Sequence, residues 1–199
     1  MSRGTIHSMN GVDGGLTVTM KLYTGRGDAG STDLLGARVS KTDPRVEALG
    51  VLDEASSAIG LARAAAKTPR TGEDLVAVQR DLYKLMAELA FTTEQYPQRV
   101  EIGADRVEWL ESETDGITSS VTMPREFILP GETAAGAALD WARVMSRRAE
   151  RRLVTCSEAG YVRNPEALRY LNRLSSLLFA LARWEEHEAG VGPVIAKQG

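Results

Sequence analysis

Apolar residues recur at helical spacing through most of the chain after residue 43. Leu75, Val78, Leu82, Leu85 and Leu89 are spaced 3-4-3-4, which places them on one stripe of a helix. That helix is predicted to begin after the stop at Thr68-Pro69 and to end near Tyr96-Pro97. An earlier helix opens at Asp43-Pro44, an N-cap followed by proline at the first helical position, and runs to about Lys67. A third carries Ala104, Val107, Leu110 and Ile117. Thr122 to Gly131, with two prolines, reads as a loop. A fourth helix spans about Thr133 to Glu158, and Asn164-Pro165-Glu166 caps a fifth that reaches about Glu188. Five helices of roughly 15 to 27 residues with short connections predict an all-α bundle. No Val/Ile-rich strands alternate with the helices, so a parallel sheet is unsupported.

The ends of the chain lack this periodicity. Residues 1–19 are polar and glycine-rich and read as a flexible extension, with Met20 as a second candidate start. Residues 20–189 form the helical domain, and 190–199 a loose tail. A short extended stretch, Met20 to Thr24, leads into the loop GRGDAGST. The length of 199 residues suits one domain with a sizeable core. A net charge of −3 argues against nucleic-acid binding in the absence of a concentrated basic patch. Cys156 is the only cysteine, which excludes an internal disulfide framework and a multi-thiolate zinc site. His7 and His187 are too far apart to suggest a histidine metal centre. There is no apolar run of the ~20 residues that span a bilayer and no signal-peptide core at the start, so a soluble cytoplasmic protein is expected.

Candidate chemistry sits in two places. Gly25-Arg26-Gly27-Asp28-Ala29-Gly30 matches G-x-G-x-x-G, but the βαβ context of a dinucleotide site is missing. Arg26-Gly27-Asp28 also spells an adhesion tripeptide, a weak signal here. Physically, three glycines permit positive φ and an anion-binding nest, with Thr24, Ser31 and Thr32 as hydroxyl donors and Lys41 close behind. A plain surface turn is the alternative. The second place is Arg143 to Arg152, with five arginines in ten residues. Arg143, Arg147, Glu150 and Arg151 fall on one helical side, while Arg148 and Arg152 point elsewhere. A row of guanidinium groups beside the core suits a polyphosphate, or else surface ion pairs. Asp53 and Asn172 occupy otherwise apolar faces of the first and fifth helices, so each requires a partner; Arg143 is a candidate for Asp53. No Ser/His/Asp or Cys/His set is present, so the nucleophile of any reaction comes from a substrate or cofactor.

Four segments together resemble the PduO-type ATP:cob(I)alamin adenosyltransferases: KLYTGRGDAGST, RVSKTDPRVEALGVLDEASSAIGLARA, FILPGETAAGAALDWARVMSRRAERRLV and NPEALRYLNRLSSLLFALARWEE. The resemblance covers about Lys21 to Glu186. It implies a five-helix bundle, ferritin-like in general shape, forming a homotrimer with active sites between subunits. It also implies transfer of the 5′-deoxyadenosyl group of ATP to the cobalt of a reduced corrinoid, with release of triphosphate. On this resemblance Thr24, Gly25, Arg26, Gly27, Asp28, Gly30, Ser31, Thr32 and Lys41 form the ATP loop and its lysine. Arg147, Arg148, Glu150 and Arg151 form the ATP and magnesium cluster, with Glu150 on Mg²⁺, and Asn172 contacts the nucleotide. Phe127 blocks the lower ligand of the cobalamin cobalt, and Asp53 pairs with Arg143 across subunits. A cob(II)alamin reductase and an adenosylcobalamin-dependent enzyme are implied partners.

The chain departs from the family pattern at several positions. Thr24-Gly25-Arg26-Gly27-Asp28 replaces Thr-Lys-Thr-Gly-Asp, Asp140 stands where many members have histidine, Ser176 replaces an aspartate, and Glu132 replaces a turn glycine. Three other functions stay open on the residues themselves: a non-catalytic ATP- or corrinoid-binding sensor or carrier, a structural helical oligomer, and the disfavoured dinucleotide-dependent oxidoreductase.

Overall fold

The computed structural model describes residues 23–92 and 101–197. The predicted extension at 1–19, most of the stretch from Met20, and the helix stop at Tyr96-Pro97 lie outside the described residues. Among the described residues five helices carry the fold: α1 (Pro44–Ala65), α2 (Pro69–Ala90), α3 (Ala104–Ser120), α4 (Ala134–Glu158) and α5 (Pro165–Glu188). Two antiparallel strand pairs accompany them. β1 (Ser31–Leu34) pairs with β2 (Ala37–Ser40) in a hairpin ahead of α1. β3 (Ile128–Leu129) pairs with β4 (Val194–Ile195), joining the loop before α4 to the C-terminal segment.

The helix starts follow from local chemistry. Asp43 caps α1 by accepting from Arg45 N at 2.9 Å, and Pro44 opens the helix without wasting a donor. Thr68 caps α2, Thr133 caps α4 and Asn164 caps α5, each through its side-chain oxygen. The end of α2 differs from the sequence reading. The helix stops at Ala90 because the chain turns to meet the hairpin: Leu35 N donates to Ala90 O, and Thr92 N donates to Leu35 O, both at 2.9 Å.

Packing runs α2–α1–α4–α5–α3, with α5 also touching α2. α5 is the central helix, and Tyr170, Leu171, Leu174, Leu177, Leu178, Leu181 and Ala182 are all inaccessible to solvent. Burying a leucine fully is worth about 1.5–3 kcal/mol, so this helix anchors the core. Two charged clusters stitch it to its neighbours. Asp81 of α2 accepts from Arg106 of α3 at 2.7 and 2.9 Å and from the Tyr170 hydroxyl at 3.0 Å. Burial, reinforced by Asp81, raises the Tyr170 hydroxyl pKa well above its ordinary value. Glu185 accepts from Lys67 N, Thr68 N and Thr68 Oγ1 at 3.0, 3.1 and 2.7 Å, tying the end of α5 to the start of α2. Cys156 is buried, with its Sγ 3.3 Å from the Pro44 carbonyl, and burial pushes its thiol pKa up. It is a packing residue.

Candidate functional site

The glycine turn lies between residues 24 and 31. Gly25 and Gly30 take φ of 71° and 79°, a region that disfavours side chains. Gly27 was expected to do the same and does not. Its role is spatial: a Cβ there would sit 3.2 Å from Lys41 Nζ and 3.4 Å from Lys41 Cε, so the lysine folds over the glycine. The amides of Asp28 and Gly30 are used within the turn, donating to Gly25 O and Gly27 O, and Lys41 N donates to Gly30 O. Thr24 Oγ1 accepts from Arg26 N, and Arg26 pairs with Asp33 at 3.4 Å. Ser31 and Thr32 lie half-buried in β1 instead of in the loop.

The five arginines of α4 divide between two faces. Arg148 pairs with Glu54 at 3.1 Å and Arg152 with Glu47 at 3.5 Å, both toward α1. The other face looks toward α3 and α5. There Asn172 Nδ2 donates to Glu150 Oε1 at 2.9 Å, and Arg151 donates to the Arg147 carbonyl at 3.0 Å. Arg147 is exposed, and its guanidinium has no carboxylate partner among the described residues. Asn172 was expected on an apolar face; it is exposed and held by Glu150 and Arg173.

A cleft in two compartments runs beside this face. One compartment, of about 330 Å³, is lined by Arg143 and Arg147 of α4, Ser175 and Ser176 of α5, and Thr114 and Thr118 of α3. The other, of about 380 Å³, is lined by Arg125, Glu126, Phe127, Ile128 and Pro130 together with Asp140 and Arg143. Arg143 and Phe179 line both, so the compartments adjoin. Phe127 lines the second compartment and is 91% exposed, a high value for a phenylalanine. Its position is fixed by backbone contacts: Ala196 N donates to Phe127 O at 2.8 Å, next to the β3–β4 pairing.

Asp53 departs from the sequence reading. The helical pattern sets it among apolar residues, yet it is exposed and makes no ion pair among the described residues. The core-facing stripe of α1 is instead Ala48, Val51, Leu52, Ala55, Ile59 and Ala62. Within one chain Arg143 does not reach Asp53; its Nε donates to Asp140 Oδ1 at 3.0 Å.

Sequence reasoning missed the base of the cleft. Arg183, 3% exposed, donates to Asp140 Oδ2 at 3.1 Å and to Glu186 Oε1 at 2.8 Å, and its guanidinium lies 5.1 Å from the Phe179 ring centre. Burial raises the Glu186 carboxyl pKa despite the nearby Arg183 charge. The available signal was the unbroken apolar run Leu177–Ala182, buried at five of its six positions, which sets the later half of the fifth helix in the core and forces the charges that follow to pair.

The glycine turn and the Arg147–Glu150–Asn172 set are not brought together within the chain. Among the described residues no hydrogen bond or ion pair links residues 24–32 or Lys41 to that set. No group of three or more His, Cys, Asp or Glu residues capable of holding a metal occurs among them either. Among the described residues no helix is long and apolar enough to cross a membrane.

A family model described as cobalamin adenosyltransferase matches residues 22–185. The chain is 46% identical over 180 residues to the corrinoid adenosyltransferase PduO of Citrobacter freundii, covering 89% of this chain and 53% of that protein. It thus spans about half the length of that relative and of its Salmonella typhimurium counterpart. It is 39% identical to a corrinoid adenosyltransferase of Bacillus subtilis, covering 88% of this chain and 91% of that one. Among solved structures it superposes with a TM-score of 0.82 on a phenylalanine-to-alanine variant of the PduO-type ATP:corrinoid adenosyltransferase from Lactobacillus reuteri, complexed with cobalamin and ATP. Identity there is 31%, covering 89% of this chain and all of that one.

Proposed function

Because the chain belongs to the cobalamin adenosyltransferase family, we propose that it transfers the 5′-deoxyadenosyl group of ATP to the cobalt of cob(I)alamin and releases triphosphate. The observation that carries this reading is the two-compartment cleft. One half presents Arg147, with no carboxylate partner among the described residues, and the terminal amino groups of Arg143 for a polyphosphate, and the adjoining half presents an exposed aromatic ring for a large flat substrate.

The chemistry accounts for the missing nucleophile. Reduced cobalt attacks C5′ of the nucleotide, a Co–C bond forms, the C5′–O bond breaks, and its electron pair leaves on triphosphate. The protein's tasks are positioning and charge control. Arg147, with Arg151 and Lys41, stabilises the charge growing on the leaving group; Arg148 serves once it exchanges its exposed Glu54 partner for phosphate. Asn172 and Glu150 are pre-joined by a hydrogen bond that leaves Glu150 Oε2 available. A single carboxylate suits Mg²⁺, which is commonly held by one or two carboxylates plus substrate phosphates. Glu150 is that ligand in our reading, and the ion supplies neutralisation of the triphosphate. Phe127, exposed on the wall of the second compartment, would exclude water or the corrinoid's own base from the lower cobalt face.

The assembly we propose is a homotrimer with sites shared between subunits. Two features among the described residues favour it: no hydrogen bond or ion pair joins the glycine turn or Lys41 to the arginine set in one chain, and Asp53 is exposed without an ion pair, a carboxylate that a neighbour's Arg143 terminal amino groups would satisfy. Light scattering should then give about three times the 21.5 kDa chain mass. We place the protein in the cytoplasm, supplied by a corrinoid reductase and serving an adenosylcobalamin-dependent enzyme, without nucleic-acid or membrane partners.

The deciding experiment mixes protein, ATP, Mg²⁺ and chemically reduced cobalamin and follows the visible spectrum. Formation of the Co–C chromophore with stoichiometric triphosphate is expected. ATP and corrinoid binding without conversion would leave a sensor or carrier and reject the transferase.

A further inference from the structure

Both side chains shared by the two cleft compartments, Arg143 and Phe179, rest on the same buried ion pair. Asp140 is 6% exposed and Arg183 3%. Asp140 Oδ1 accepts from Arg143 Nε at 3.0 Å, and its Oδ2 accepts from Arg183 Nη2 at 3.1 Å. Arg183 also lies 5.1 Å from the Phe179 ring centre and is held from behind by Glu186, 2% exposed, at 2.8 Å. Gly136 makes room for this base: a Cβ there would stand 2.7 Å from Glu186 Oε1.

We propose that Asp140 is a positioning residue, which grips Arg143 by its Nε edge and leaves both terminal amino groups free at the junction of the two compartments. Three features support this role. Among the described residues Nε is the one guanidinium donor that Arg143 commits, and neither Nη group has a partner. The grip comes from the preceding turn of the same helix, at i,i+3, so its direction is set by α4 itself. The carboxylate in turn cannot swing away, because Arg183 and Glu186 occupy its other side in a buried site where unpaired charge is costly. Charges alternate along Glu186, Arg183, Asp140 and Arg143, so the row is self-neutralising, and a terminal guanidinium face is left for a ligand or a second subunit. The compartment holding the leaving group and the one holding the flat substrate are thereby kept in fixed register. This inference rests on the adenosyltransferase reading for its kinetic consequence but not for its geometry.

The test uses Asp140→Asn in the full chain, which keeps the shape and removes the charge. The Arg143 Nε–H resonance should be slow to exchange with solvent in the wild type and fast in the variant. That measurement is independent of turnover, so it stands if the transferase reading fails. In the adenosylation assay, Asp140→Asn should lower kcat about tenfold or more, since misplacement by an ångström costs up to ~10²-fold. In an Arg143→Ala background the same substitution should cost less than about twofold, the non-additivity of residues acting as a unit. If Asp140→Asn fails to fold, Arg143→Lys takes its place: it keeps the cation but offers no Nε–H, and kcat should fall similarly. Three results would overturn the proposal: an Arg143 Nε–H no better protected than those of exposed arginines, wild-type kcat in the folded variant, or a loss fully additive with Arg143→Ala.

Discussion

Glu185→Gln tests whether the fold is closed where α5 meets α2. The carboxylate, 2% exposed, takes one hydrogen bond on Oε2 from Lys67 N and two on Oε1 from Thr68 N and Thr68 Oγ1. A glutamine has one acceptor oxygen. Placed toward Thr68, it keeps that pair but turns its NH₂ toward the Lys67 amide, leaving a buried donor unsatisfied. Losing a hydrogen bond to a charged group costs about 1.5–3 kcal/mol. Removing a negative charge from the start of α2 adds about 0.3–1 kcal/mol. The sum is roughly 2–4 kcal/mol, a fall in Tm of roughly 4–16 °C for a chain of this size. The pH dependence supplies a second constraint. Burial by itself would raise the Glu185 pKa, but the bonds from Lys67 and Thr68 outweigh it and hold the carboxyl below its ordinary value. A depressed native pKa gives stability that is complete above the unfolded value of about 4.3 and is lost as pH falls through the native one. Thermal melts of wild type and variant from pH 8 to pH 3 should therefore show a constant gap that closes only under acid conditions. Equal Tm at pH 7, or a gap that widens on acidification, would refute the reasoning.

Arg147→Ala should reduce adenosyl transfer by about 10²- to 10³-fold, the scale of losing one charge-stabilising donor, with an unchanged helical circular dichroism spectrum because the side chain is exposed. Steady-state kinetics check this, and wild-type turnover would remove Arg147 from the site. Phe127→Ala should shift stability by less than about 0.5 kcal/mol, as expected for a surface side chain, while slowing transfer to cobalamin that still binds. An unchanged rate with cob(II)alamin and reductant would discard its ligand-blocking role. Asp74→Asn should stabilise the protein above pH 6. Burial, then the neighbouring Glu113, raises the Asp74 pKa to about 6, so the wild type binds an extra proton when folded and loses stability as pH rises from about 4 to 6. The variant should gain about 2 kcal/mol in urea melts at pH 7 relative to pH 4, and a pH-independent difference would reject the assignment.

The helical frame was legible because its signals are local. Asp43-Pro44, Thr68-Pro69 and Asn164-Pro165 each place an N-cap before a proline, and all three helices begin there. What escaped depends on distant partners. α2 stops at Ala90 because Leu35, more than fifty residues earlier, supplies the next hydrogen bonds, and no periodicity within 69–90 encodes that. The strands β1–β4 span two to four residues, too short for an alternation to be read. Asp53 was misplaced because α1 is rich in small apolar residues around much of its circumference, so the phase of its buried stripe is ambiguous from sequence. The cation set on α4 was visible as composition, and its division between two faces followed from the helical angle. The Asp140–Arg183–Glu186 base was hidden because a run such as Trp184-Glu185-Glu186 looks like a solvated helix end until the helix is known to be central.

Gly27 illustrates a form of dependence between positions that backbone angles do not reveal. Its missing side chain is a docking space for the tip of Lys41, fourteen residues further on. A single added methyl would leave the turn intact and push an ammonium away from it. Positions 27 and 41 therefore constrain one another as a unit: tolerance at the first is set by the reach required of the second, and engineering either in isolation alters both.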